Sequence, residues 1–111
     1  MCIMPEIKTV SVHELKKLKE ENPDIWIIDV REPHEWDAGH IPGAIHIPKD
    51  QITKKIQQYV PNYDCPIYLN CGGGKRSMTA CVALHELGYE ELYSVEGGIT
   101  AWKKSGFPVE R

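Results

Sequence analysis

Apolar positions along the chain switch between two rhythms, short runs of strand length and stretches spaced as on a helix. Residues 7–10 alternate and predict a short first strand, and Ser11 with Glu14 three places later is a capping-box signature for a helix running to about Glu21. Val12, Leu15 and Leu18 mark the buried side of that helix, while Lys16, Lys17, Lys19 and Glu20 form a solvated face. Asn22-Pro23-Asp24 breaks it, and residues 25–28 are a continuous apolar run, as expected of a central strand covered on both faces. A single helical turn over 34–38 and a turn-rich link over 39–43 lead to a brief strand over 44–47.

Ile52, Ile56 and Tyr59 recur at helical spacing within residues 51–59, and residues 61–64 stop that helix before a buried strand over 66–69. The next helical pattern spans 76–87. Ala80, Cys81, Leu84 and Leu87 lie on one side with Met78 and Val82 adjacent, which predicts a helix apolar around most of its girth and well buried. Gly88 is placed to cap it, residues 91–95 form a last strand, and Gly97-Gly98 turn into a short helix with Ile99 and Trp102 inward. Strands separated by helices of this length imply βαβ units. The fold class is therefore α/β, with a mostly parallel central sheet and helices on both faces. Residues 1–111 are read as one domain, with residues 1–5 a mobile terminus.

Composition narrows the partners. A net charge of −3 over 111 residues leaves no broad basic surface for nucleic acid, and any positive field must be local. The start of the chain carries no signal-peptide pattern and no run reaches membrane-spanning length, so neither export nor a membrane partner is expected and a reducing, cytoplasmic setting is the default. The four cysteines, Cys2, Cys65, Cys71 and Cys81, include no C-x2-C pair, which argues against a structural zinc site; no metal is expected.

One stretch carries chemistry. Cys71 sits at a strand-to-helix turn and is followed by Gly72, Gly73, Gly74, Lys75, Arg76 and Ser77. Residues without Cβ let successive N–H groups converge in a nest for negative charge, the helix start adds unsatisfied N–H groups, and Lys75 and Arg76 add whole charges. Such surroundings lower a thiol pKa, so Cys71 is expected to be a thiolate nucleophile in a surface cradle. Asp29, Val30 and Arg31 end a strand, where open α/β sheets gather functional groups; Asp29 is expected to bond loop backbone and Arg31 to border the pocket. His40 in its Gly-Pro-rich turn reads as a brace, Glu35 as support for the neighbouring loop, and Trp36 and Trp102 as packing. Cys81 falls on the apolar side of its helix and reads as core, and a resolving-thiol role stays open for Cys2 or Cys65.

Together these motifs resemble the rhodanese family of single-domain sulfurtransferases over nearly the whole chain. Residues 71–77 fit its Cys-x-x-Gly-x-Arg-Ser loop, residues 29–31 its Asp-Val-Arg strand end, residues 39–44 its Gly-His-Ile-Pro-Gly-Ala segment, and Glu96-Gly97-Gly98 with Trp102 its C-terminal pattern. The resemblance implies that Cys71 takes a sulfane sulfur from a small anionic donor such as thiosulfate and holds it as a persulfide, with no separate cofactor. It implies passage of that sulfur to cyanide or a thiol, a thioredoxin-like protein included. Gly72, Gly73, Gly74, Lys75, Arg76, Ser77 and Arg31 would contact substrate, with Asp29, Glu35 and His40 in support.

Gly72 departs from the basic residue that many active relatives carry after the cysteine, which shifts weight from thiosulfate toward persulfide donors. Two other functions are weighed. Cysteine phosphatases and arsenate reductases resemble Cys-x5-Arg, whereas Cys71 to Arg76 is Cys-x4-Arg and Asn70, not histidine, precedes the thiol. A non-catalytic interaction module need not keep Cys71, Gly74 and Arg76. A nucleotide-binding P-loop fails on spacing, because Leu69 stands where its first glycine belongs and Arg76 at its Ser/Thr position.

Overall fold

Five parallel strands make one sheet in a computed structural model that describes residues 7–111. In chain order they are β1 (Lys8–Val10), β2 (Trp26–Asp29), β3 (Ile45–His46), β4 (Ile67–Asn70) and β5 (Leu92–Val95); across the sheet the order is β1-β5-β4-β2-β3. Parallel neighbours cannot be joined by hairpins, so helices carry the chain back across the faces. These are α1 (Val12–Glu21), α2 (Pro33–Asp37), α3 (Ile52–Tyr59), α4 (Lys75–Leu87) and α5 (Gly98–Lys104), with a 3-10 turn over Lys49–Gln51 leading into α3.

Alternation along the strands divides the core into two layers. Ile28, Ile67, Leu69 and Leu92 pack toward Ile52 and Ile56 of α3 and Ala80, Cys81 and Leu84 of α4. Val10, Ile27, Tyr68 and Val95 face the other way, against Val12 and Leu15 of α1 and Ile99 and Trp102 of α5. The capping box forms as the sequence predicts: Glu14 N–H donates to Ser11 Oγ at 3.0 Å and Ser11 N–H to Glu14 Oε1 at 3.2 Å. Gly88 caps α4 in the left-handed region at φ 111°.

Two expectations are corrected. The apolar run over 25–28 becomes β2, an interior strand, but the middle of the sheet is β4, which pairs with both β2 and β5. Continuous hydrophobicity marks burial on two faces, a condition every interior strand meets. The second concerns α4, which is not buried around most of its girth: Met78 is 39% exposed and Leu87 44%. Only its sheet-facing stripe is covered, because α3 flanks it on one side and solvent takes the rest. The terminus over residues 1–5 and the candidate thiol Cys2 lie outside the described residues.

Among the described residues no helix is long and apolar enough to cross a membrane. Cys81 is fully buried, and burial, reinforced by the charge of Cys71, pushes its thiol up to about 12. In the native protein Cys81 should therefore resist iodoacetamide at neutral pH and react once urea unfolds the chain, as read by peptide mass mapping.

Candidate active site

Cys71 follows the last residue of the middle strand, at the carboxyl edge of the sheet where open α/β folds place their sites. The loop it opens is clamped from the α5 side. Ile99 N–H donates to Cys71 O at 2.9 Å and Thr100 N–H to Gly72 O at 3.2 Å, so orphan amides at the start of α5 satisfy loop carbonyls. Gly98 makes this approach possible. A Cβ on it would lie 2.2 Å from Cys71 O and 2.8 Å from Gly72 O, and its φ of +54° disfavours any side chain besides. Gly97-Gly98 reads as a turn in sequence; its backbone contact with the cysteine loop needs the fold to be seen.

The sulfur itself is held from one side. Gly74 N–H donates to Cys71 Sγ at 3.0 Å, and Ser77 Oγ lies 3.4 Å away. Burial pushes the thiol pKa up, yet the Ser77 hydroxyl and the N–H groups of Ser77, Gly74 and Arg76 outweigh it, and the result lies below the ordinary value. Instead of a surface cradle, Cys71 is 1% exposed and packs within the α3–α4 core layer. At the tip of the loop Gly73 is exposed, and a Cβ there would meet no atom within 4 Å. Lys75 is exposed at the first position of α4.

Arg76 turns back over the loop. Its Nη1 and Nη2 donate to Glu35 Oε1 at 2.6 Å and Oε2 at 2.9 Å, a two-pronged pair joining α4 to α2 across 41 residues of sequence. Its Nη2 would lie 2.9 Å from a Cβ at Gly72, so the guanidinium occupies the room left by the missing side chain. Glu35 also accepts from Glu32 N–H at 3.0 Å. The Arg76 hydrogen bonds, against the opposing effect of burial and with help from Glu32 N–H and the charges of Arg76 and Arg31, lower the Glu35 carboxyl to about 2. Glu35 thus supports the loop through Arg76, and the charge of Arg76 is shared.

Arg31, expected at the pocket border, is instead 4% exposed and closed onto the scaffold. Its Nε and Nη2 donate to both Asp29 oxygens at 2.7–3.0 Å, and Nη2 also reaches Gly39 O at 2.8 Å. Asp29 accepts from Arg31 N–H at 3.0 Å as well, so it bonds backbone at its own strand end. His40 stacks flat on Trp36 with ring centroids 3.5 Å apart, its Nδ1 lies 3.0 Å from Trp36 O, and its backbone exchanges two hydrogen bonds of 2.9 Å with Glu110. That geometry is a brace. His46, unremarked in the sequence, stacks near Trp36 at 5.0 Å and donates from Nε2 to Arg31 O at 2.8 Å.

Sequence reasoning also missed Ser94. It stands in an apolar strand, where a single serine carries no pattern, and the fold places its Oγ 2.6 Å from Ser77 Oγ.

These features define a class: a parallel α/β domain holding a low-pKa cysteine in an amide-lined loop at the end of its middle strand. The Rhodanese-like domain family model matches residues 11–105, and the chain belongs to that family. Thiosulfate sulfurtransferase GlpE of Pseudoalteromonas translucida is 34% identical over 96 residues, covering 86% of this chain and 89% of that protein. Among solved structures, the rhodanese-like domain of an Anabaena protein superposes with a TM-score of 0.85 at 28% identity, over 95% of this chain and 80% of that one. A rhodanese-like domain protein of Staphylococcus aureus gives 0.81 at 32% identity, over 95% and 100%.

Gly98→Ala should cost about 3 kcal/mol or more in urea unfolding, because the new Cβ meets backbone that cannot yield. Glu35→Gln makes a pH-dependent case. The unfolded carboxyl ionises near 4.5 and the folded one at about 2, so the pair stabilises fully above the first value and fades as the pH falls toward the second. The variant should be less stable than wild type at neutral pH and converge on it in acid, by urea titration at each pH.

Proposed function

We propose that the chain is a sulfurtransferase that carries sulfane sulfur on Cys71. The observation that carries this reading is the pair of donors, Gly74 N–H and Ser77 Oγ, on a buried sulfur whose pKa they hold down despite its burial. The thiolate attacks the outer sulfur of a donor, a Cys71–sulfur bond forms, and the donor's S–S bond breaks with its electron pair leaving on sulfite or on a thiolate. A thiol or cyanide then attacks the outer sulfur of the persulfide, and Cys71 departs as thiolate. The sulfur is anionic before and after each transfer, so one set of fixed donors serves both half-reactions.

Donor choice follows from charge. Arg76 shares its charge with Glu35, which leaves the loop less suited to a dianion and favours persulfide donors beside thiosulfate. Acceptors in this reading are cyanide, small thiols or a thioredoxin-like protein, and the setting is cytoplasmic, where Cys65, Cys71 and Cys81 remain free thiols. A phosphatase reading has less support: the loop is one residue short of Cys-x5-Arg, and the arginine that would bind phosphoryl oxygens is bonded to a carboxylate.

Intact mass after incubation with thiosulfate, and separately with glutathione persulfide, should show one added sulfur atom that cyanide removes. Cys71→Ser should fold, because Gly74 N–H can donate to a hydroxyl in place of sulfur, and should gain none. No added sulfur from either donor, together with Cys71-dependent phosphoester turnover, would reverse the assignment.

A further inference from the structure

Ser94 lies opposite Leu69 in the β4–β5 register and so emerges on the α3–α4 face of the sheet, beneath the first turn of α4. It is 2% exposed, and among the described residues its hydroxyl has one hydrogen-bond contact, Ser77 Oγ at 2.6 Å. Ser77 is fully buried and has more choices: Ser94 Oγ, Gly74 O at 3.1 Å and Cys71 Sγ at 3.4 Å.

Proton counting orders these contacts. Each serine has one hydroxyl proton, Gly74 O only accepts, and an ionised sulfur only accepts. Were Ser77 to donate to Ser94, the Ser94 proton would be buried without a partner, Gly74 O would keep only Met78 N–H at 3.4 Å and the sulfur only Gly74 N–H at 3.0 Å. Leaving a buried donor unmade is the costly arrangement. Ser94 therefore donates to Ser77, and the Ser77 proton is divided between Gly74 O and Cys71 Sγ. While Cys71 is a neutral thiol, its S–H can point to Ser77 Oγ and Ser77 donates to the carbonyl. When the sulfur is charged, the charge-assisted bond is the stronger and the proton turns to it.

We propose that Ser94 is a positioning residue for sulfur transfer, its hydroxyl donating to Ser77 Oγ and so strengthening the bond that the single Ser77 proton makes to negative charge on Cys71. The inference rests on the reading of Cys71 as the nucleophile and names a group in its machinery that makes no contact with the sulfur. A donated hydrogen bond also polarises the hydroxyl that receives it and strengthens the bond passed on. Among the described residues the charged and titratable groups coupled to the sulfur are Arg76, joined to Glu35 from α2, and Cys81 one turn beyond Ser77 on the same face of α4, with exposed Lys75 at the start of that helix. None of them bonds Ser94.

The test is the pH dependence of Cys71 alkylation by iodoacetamide in the full chain, followed at the Cys71 peptide by mass spectrometry. Ser94→Ala should move the ionisation midpoint to higher pH, with about threefold less thiolate at pH below both midpoints. Ser94→Thr keeps a hydroxyl and should stay near wild type, while Ser94→Val, of the same shape without it, should follow Ser94→Ala. In a Ser77→Ala background, adding Ser94→Ala should change nothing further. Equal midpoints for the Thr and Val variants, or an undiminished Ser94→Ala effect without Ser77, would overturn the role. The readout needs no sulfur transfer, so the two readings fail separately. A low wild-type midpoint that ignores Ser94 sinks this inference alone; a wild-type midpoint like that of an ordinary thiol sinks the sulfur-carrier reading with it.

Discussion

The contact on which the rest depends is backbone against backbone: the start of α5 lies on the carbonyls of Cys71 and Gly72, with Gly98 leaving no atom between them. A loop that turns its N–H groups inward toward an anion must turn some carbonyls outward, and those need donors. Ile99 and Thr100 supply them from the other layer of the sheet. The cysteine loop is thus a junction between the two halves of the core, and its shape is maintained by packing on both.

Two cysteines in the same core layer show which effect wins where. Cys71 and Cys81 are both buried and desolvation raises both, but only Cys71 has donors aimed at its sulfur, and its pKa ends below the ordinary value while that of Cys81 rises to about 12. Burial alone raises a thiol's pKa; burial with fixed hydrogen-bond donors on the sulfur can lower it.

Much of this was legible in the chain. The Ser11–Glu14 capping box and the helix cap at Gly88 are local patterns, and each does in the fold what its spacing predicts; the run from Cys71 to Ser77 makes the strand-to-helix turn its glycines suggest, but with the sulfur buried rather than at the surface. Arg31 was not legible as an inward residue, since a charge at a strand end looks the same whether it faces a ligand or its neighbour Asp29. The Glu35–Arg76 pair and the Ser77–Ser94 contact join distant segments, and no single-chain periodicity encodes them. The girth of α4 misled for a related reason: hydrophobicity counts apolar side chains, whereas exposure of Met78 and Leu87 depends on which neighbours arrive.

The vacancy of side-chain volume at Gly72 has a bearing on how such a loop can diversify. The Arg76 guanidinium rests in that volume, so any larger group at position 72 and the inward rotamer of Arg76 compete for the same space. Glu35 would lose its partner whenever the newcomer prevailed. Positions 35, 72 and 76 consequently behave as one adjustable unit, and exchanging the residue after the cysteine relocates the positive pole of the site as well as enlarging its rim.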